Sequence, residues 1–154
     1  MLRSILEVGG RKGLDFTMMI STRGRYALRV MIDLAECAGG GYTPMKDVAA
    51  RQEISLKYIE RIMPVLVQNE LVEGIHGKGG GYRLTREPKE YQIGEILRLT
   101  EGDLAPVACL ECGATPCNKT EECRTFPMWN QFYEMINNYF DNITLADLMR
   151  GSGE

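Results

Sequence analysis

Histidine is almost absent from this chain: of its 154 residues, only His76 is one. That excludes an HExxH metal site, and no serine–histidine–acid set or Walker loop is present, so the expectation is a protein that is not an enzyme. No run of 18 apolar residues occurs, which argues against a transmembrane helix. The opening MLRSILEVGGRKGLDFT has too short an apolar stretch, and no small-residue cleavage site, for a secretory signal. No membrane partner is expected, and a cytoplasmic location is the default. The five cysteines, an odd number, argue against a disulfide framework.

Hydrophobic residues at 44% and charged residues at 25% suffice for a packed core. The net charge of −3 conceals an asymmetry. Residues 1–89 carry a balance of +4 and residues 90–154 one of −7. One part of the chain is thus suited to a polyanion and the other is not.

The first 18 residues lack periodicity and read as a loose arm, or as an extension upstream of a natural start at Met18 or Met19. From Thr22 to Cys37, Ala27, Val30, Met31, Leu34 and Ala38 recur at helical spacing, with Cys37 in that apolar pattern, until Gly39-Gly40-Gly41. Thr43 is the expected cap of a short second helix, with Pro44 in its first turn and Met45, Val48 and Ala49 inward. After the break at 52–54, Ser55 should cap a third helix. Its buried stripe is Ile59, Ile62, Met63 and Leu66, leaving Lys57, Tyr58, Glu60 and Arg61 facing out. Pro64 is expected to kink or end it near Met63.

Two strand-like runs, Leu71–His76 and Tyr82–Thr85, flank Gly77-Lys78-Gly79-Gly80-Gly81 as a hairpin with almost no side chains at its tip. A helix over Gln92–Thr100 should bury Ile93, Ile96 and Leu97. Pro127 should open a long helix with Met128, Trp129, Phe132, Met135/Ile136 and Tyr139/Phe140 on one face. Thr144 and Asp147 resemble a capping box for a last short helix, Leu145–Met149. Met31, Met63, Met128 and Met135 all fall at core spacing.

These elements describe a mainly α protein with a small β-hairpin: a winged helix-turn-helix followed by a long C-terminal dimerisation helix. The expected divisions are an arm at 1–18, a DNA-binding region at 19–90, a connecting helix at 91–102, a cysteine-rich loop at 103–124 and a dimerisation segment at 125–154. The third helix would lay its polar N-terminal face in the major groove of double-stranded DNA, with its first amides near phosphate. Lys78 and the backbone of Gly79 and Gly80 would reach phosphate or the minor groove. Arg23 and Arg25, at the start of the first helix, are candidate phosphate clamps.

Residues 109–123 read CLECGATPCNKTEEC, placing Cys109, Cys112, Cys117 and Cys123 in a C-x2-C-x4-C-x5-C spacing. Thiolates so close are metal ligands or redox thiols, and soft ligands select zinc, copper(I) or iron–sulfur clusters. Zinc sites usually pair two such knuckles, and only Cys109/Cys112 fits one. Iron–sulfur clusters accept four cysteines from irregular loops.

STRGRYALRVMIDLA, ISLKYIERIMPVLVQNELVEGIHGKGGGYRLT and NITLADL resemble the IscR–NsrR–CymR family of bacterial regulators (the BadM/Rrf type) from about Met19 to Arg150. The resemblance implies a homodimer on an inverted repeat, joined through its long C-terminal helices. It matches Ser55, Lys57 and Glu60 to recognition-helix contacts, with Glu60 a discriminating position that can accept from cytosine N4. His76 stands where such proteins often carry a wing arginine. Cys117 and Cys123 match the C-x5-C ligand pair of cluster-binding members, and Cys109 or Cys112 takes the upstream role. Phe126 occupies the position of those members' histidine ligand, and Tyr26 that of an acidic one, so the additional cysteine is the replacement in a [2Fe–2S] or [4Fe–4S] centre. The resemblance also leaves open control by thiol oxidation or a regulatory partner protein, as in members without a cluster. A small cluster carrier with no DNA role is the reading from another class.

Overall fold

The computed structural model describes residues 20–37 and 39–151. The expectations for the arm and for Ala38 lie outside these residues. Helix α1 (Thr22–Cys37) is the central element. Its Ala27, Val30, Met31 and Leu34 are wholly buried, and it packs against α2 (Met45–Gln52), α3 (Leu56–Gln68) and α4 (Ile93–Glu101). Cys37 is exposed at the end of α1, so it is not the core residue its apolar neighbours suggested.

Between α1 and α2, Asp33 is buried at 2% exposure and accepts from Arg51 Nε (3.1 Å) and Nη2 (2.6 Å) and from Gln52 Nε2 (2.9 Å). Arg29 also donates to the Gln52 carbonyl. Hydrogen bonding to Asp33 raises the Arg51 pKa further, so the guanidinium stays charged. These bonds fix α2 against α1 just before the turn into α3.

The α2 start corrects the sequence expectation. Pro44, not Thr43, is the N-cap, and it has no side-chain bond. Thr43 is withdrawn into the sheet: its N–H donates to Tyr82 O, and Tyr82 N–H donates back, both at 2.9 Å. A backbone engaged in strand pairing cannot also turn to cap α2. Glu53 then takes a left-handed conformation (φ 53°), Ile54 is buried, and Ser55 opens α3 by accepting from Tyr58 N–H at 3.2 Å.

Pro64 does not end α3, which continues to Gln68. The backbone bond it deletes belongs to the Glu60 carbonyl, and both residues are exposed, so water can satisfy that oxygen. Beyond α3, β1 (Val72–Ile75) and β2 (Gly81–Leu84) pair antiparallel, with Val72 opposite Leu84 and Ile75 opposite Gly81. The first strand is thus shorter than its expected run, and the second is shifted by one residue.

Tyr91 is fully buried below this hairpin. Its hydroxyl donates to Leu71 O (2.7 Å) and accepts from Thr85 N–H (3.0 Å) and Arg86 N–H (2.9 Å). Tyr91→Phe leaves all three backbone groups without this partner. It should lower stability by about 2–3 kcal/mol in urea unfolding, with the denaturant slope unchanged.

Helix α5 (Phe126–Asp141) begins one residue before Pro127. Its apolar residues divide between two sides. Ile136 and Phe140 pack on the core, whereas Met128, Met135 and Tyr139 are 53%, 61% and 65% exposed. Met128 and Met135 are therefore not core residues of the protomer. After α5 the chain returns to α4, where Ile93 N–H donates to Ile143 O and Leu145 N–H to Tyr91 O, both at 2.9 Å. The last element is a single 3-10 turn, Ala146–Leu148, rather than a helix. Thr144 and Asp147 nevertheless exchange the expected bonds: Thr144 N–H to Asp147 Oδ2 at 2.8 Å, and Asp147 N–H to Thr144 Oγ1 at 3.3 Å.

Candidate DNA-reading surface and cysteine loop

The turn from α2 sets α3 with its N-terminal half outward. Ser55, Lys57, Glu60 and Arg61 are exposed, as the polar side of the pattern requires. Tyr58 departs from it. Its ring stands edge-on to Tyr26 with centroids 5.3 Å apart, and the Arg29 guanidinium lies 5.3 Å from the Tyr26 centroid. Tyr58 is half-buried because α1 runs close enough to offer an aromatic partner, which helical spacing within α3 cannot reveal.

At the hairpin tip, His76, Gly77, Lys78 and Gly79 are exposed and Gly80 is half-buried. Gly77 and Gly79 adopt φ of 94° and 77°, and Gly80 N–H closes the turn on Gly77 O at 3.0 Å. Gly81 serves packing instead: a Cβ there would collide with the Thr43 carbonyl. Helix α3 and the wing border one open groove of about 620 Å³, with Leu56, Glu60, Met63 and Val67 on one side and His76, Gly77 and Gly80 on the other.

Lys46, in the first turn of α2, also lines this groove. Sequence reasoning passed over it, although a lysine opening the first helix of the pair was a usable signal. Arg23 and Arg25 are exposed at the start of α1, and Arg25 Nη2 donates to Thr22 Oγ1 at 3.1 Å. Among the described residues, no salt bridge involves Arg23, Arg25, Lys46, Lys57, Arg61 or Lys78. Among these residues their charges are not neutralised, the condition for meeting phosphate.

The cysteine loop follows α4. Cys109 lies in a 3-10 turn (Ala108–Leu110), and all four loop cysteines are free. Cys109, Cys112 and Cys117 are exposed, and Cys123 is half-exposed. Thr120 N–H and Oγ1 both donate to Cys117 O, at 3.1 and 2.8 Å. The Cys123 thiol lies 3.5 Å from Thr125 Oγ1, and bonds from Thr125 and the Phe126 amide hold its pKa below the ordinary thiol range.

Among the described residues, no three Cys, His, Asp or Glu side chains are gathered into an arrangement that holds a metal ion. The donor chemistry nevertheless fits a thiophilic centre: four unbridged thiols within one loop, none committed to core packing. Sequence reasoning did not single out Asp103, which ends this loop's attachment to α4. Its Oδ2 accepts from Cys112 N–H at 2.7 Å, and its Oδ1 from the Tyr133 hydroxyl at 2.8 Å. Partial burial pushes the Asp103 carboxyl upward, but these bonds and those from Leu104 and Ala105 hold it below the ordinary range.

A family model described as Rrf2, iron-dependent transcriptional regulator, matches residues 20–151. The chain belongs to the Rrf2 family of transcriptional regulators. The HTH-type transcriptional regulator IscR of Serratia proteamaculans is 33% identical over 132 residues, covering 86% of this chain and 79% of the relative. The structure of CymR (YrzC), the global cysteine regulator of B. subtilis, superposes with a TM-score of 0.69 at 33% identity, covering 84% of this chain and 95% of that one. T. potens IscR does so with a TM-score of 0.64 at 32% identity, covering 84% and 85%. The architecture is thus the winged helix of Rrf2 regulators, and the function is DNA-binding regulation of transcription rather than catalysis. Among the described residues, no helix is long and apolar enough to cross a membrane.

Proposed function

We propose that the protein is a cytoplasmic homodimer that reads an inverted-repeat operator and responds to iron–sulfur, redox or nitric oxide status through its cysteine loop. The groove that α3 shares with the wing carries this reading. A sugar–phosphate ridge would enter between the two elements, with the major groove on the α3 side and the minor groove on the wing side. Ser55, Lys57, Glu60 and Arg61 then face base edges and flanking phosphates. Lys78, Gly79 and Gly80 face the backbone beyond the ridge, beside His76. Tyr58 contributes by buttressing α3 against Tyr26. Arg23 and Arg25 extend the cationic surface from α1. Residues 19–90 form the reading unit, 91–102 the connection, 103–124 the sensing loop and 125–154 the dimerisation segment.

Lys78→Ala tests the wing. A lost phosphate contact should weaken binding to all sequences about equally and reduce the slope of log affinity against log salt by about one. Gel shifts on operator and scrambled DNA across a salt series check this. A change in sequence preference with affinity unaltered would refute the wing assignment.

Cys117 and Cys123, with Cys109 and Cys112, are the residues that would hold an iron–sulfur cluster. When bound, such a group supplies a centre sensitive to oxidants and nitric oxide. This chain's own part is to present four unbridged thiols on a loop held by local turns and by the Cys112 amide on Asp103. Control by thiol oxidation is the second reading, favoured by the depressed Cys123 pKa, which raises its thiolate fraction.

A further inference from the structure

We infer that Asp103 is a positioning residue, the joint through which the conformation of the cysteine loop reaches α5. The inference rests on the loop being the sensing element proposed above. Asp103 follows Gly102, which ends α4 at φ 88°. Its Oδ1 accepts from Leu104 N–H (2.6 Å), Ala105 N–H (3.0 Å) and the Tyr133 hydroxyl (2.8 Å), and its Oδ2 accepts from Cys112 N–H (2.7 Å). Both oxygens are engaged, so this carboxylate acts as an acceptor hub rather than a spare metal ligand.

Two of those bonds are long in sequence. One spans nine residues to the middle of the cysteine loop, and the other spans 30 residues to α5. Among the described residues, every other hydrogen bond made by 107–122 is to a neighbour within the same loop. The Cys112 amide therefore ties the middle of the loop to the carboxylate that holds Tyr133, while the loop's far end meets α5 where Phe126 N–H donates to Cys123 O at 3.3 Å.

Tyr133 lies on the side of α5 that faces α4. Asn137 Nδ2 donates to Tyr133 O at 3.0 Å, and Arg98 Nη1 donates to Asn137 Oδ1 at 2.9 Å. Phe132, next in the chain, begins the turn that leads to the exposed Met135. A displacement of the Cys112 main chain breaks or re-aims the Asp103 bonds and frees Tyr133, which loosens the first half of α5. The same junction reaches α1: Glu101, two residues earlier, accepts from Ser21 N–H (3.0 Å) and Oγ (2.7 Å), next to Arg23 and Arg25. One short segment thus joins the loop to the helix carrying the apolar stripe and to a helix start on the cationic surface.

The test is hydrogen-exchange mass spectrometry on the full chain, before and after capping the loop thiols with iodoacetamide. A Cys37→Ser background removes the other exposed thiol. Capping should speed exchange across 128–136 by about tenfold, the factor one hydrogen bond to a charged group carries. Tyr133→Phe keeps the other three Asp103 bonds, and Asp103→Asn removes one acceptor oxygen. In both, the response should shrink below about twofold. If Asp103→Asn does not fold, Tyr133→Phe carries the comparison. An α5 response that persists in the variants, or is absent from the parent, overturns the joint. Operator titration of the same samples separates the two ideas. Affinity that changes on capping without any α5 response sinks the joint and spares the sensing loop. An α5 response abolished by Tyr133→Phe, with affinity unmoved by capping, upholds the joint and sinks the sensing loop.

Discussion

Phe132→Asp yields a monomer whose operator affinity falls by at least about a hundredfold, because two linked half-site contacts become one. The helix that carries this residue runs about 24 Å at 1.5 Å per residue. Met128, Phe132, Met135 and Tyr139 recur at spacings of four, three and four, so they lie along one line of α5. None of them belongs to the packed core of the protomer, whereas Ile136 and Phe140 do. A stripe of this length, with Met128, Met135 and Tyr139 exposed and Phe132 half-buried among them, fits a two-fold mate. An aspartate at its centre would be buried against apolar side chains without a partner, costing several kcal/mol and shifting dimerisation by about a thousandfold. Light scattering and gel shifts check the result. Because Phe132 lies off the core, circular dichroism should show the fold intact. A dimer of undiminished affinity would remove α5 from the interface.

Cys117→Ser and Cys123→Ser each give colourless protein under anaerobic purification, while the parent absorbs broadly between about 320 and 450 nm, as thiolate-bound iron–sulfur centres do. Losing a thiolate removes both a soft donor and a negative charge, and serine replaces neither at neutral pH. Cys109→Ser and Cys112→Ser divide the remaining positions. Bleaching or lability in both means four cysteine ligands, and silence in one means three cysteines and a donor from elsewhere. Reconstitution should weaken as pH falls, because ligation needs deprotonated thiols. Cys37→Ser should alter neither spectrum nor stability, since that residue is exposed at the end of α1. Colourless parent protein containing zinc would overturn the cluster in favour of the lesser metal.

Periodicity made most of the helical architecture readable. Ala27, Val30, Met31 and Leu34 on α1, and Ile59, Ile62, Met63 and Leu66 on α3, are spaced to make one continuous face each, and those faces are buried. The glycine run at 77–81 announced the wing because only such residues take its positive φ without strain. Pro64 does not end α3, because the rule against proline assumes that the lost bond is costly. At an exposed carbonyl, water reduces the cost. Tyr58 was misread because its partner, Tyr26, is far away in sequence.

The sequence by itself determined the elements, the wing, the cationic residues of α3 and the cysteine spacing. Each of these depends on local backbone preference or on residues a few positions apart. Tertiary structure alone decided which half of the α5 apolar residues faces the protomer and which faces outward. It also brought Lys46 to the groove beside the wing and joined Cys112 to Tyr133 through Asp103. Those outcomes depend on the angles at which helices cross. The angles are set by packing and by bonds such as Arg51 to Asp33, between residues distant along the chain, and no pattern within a single element encodes them.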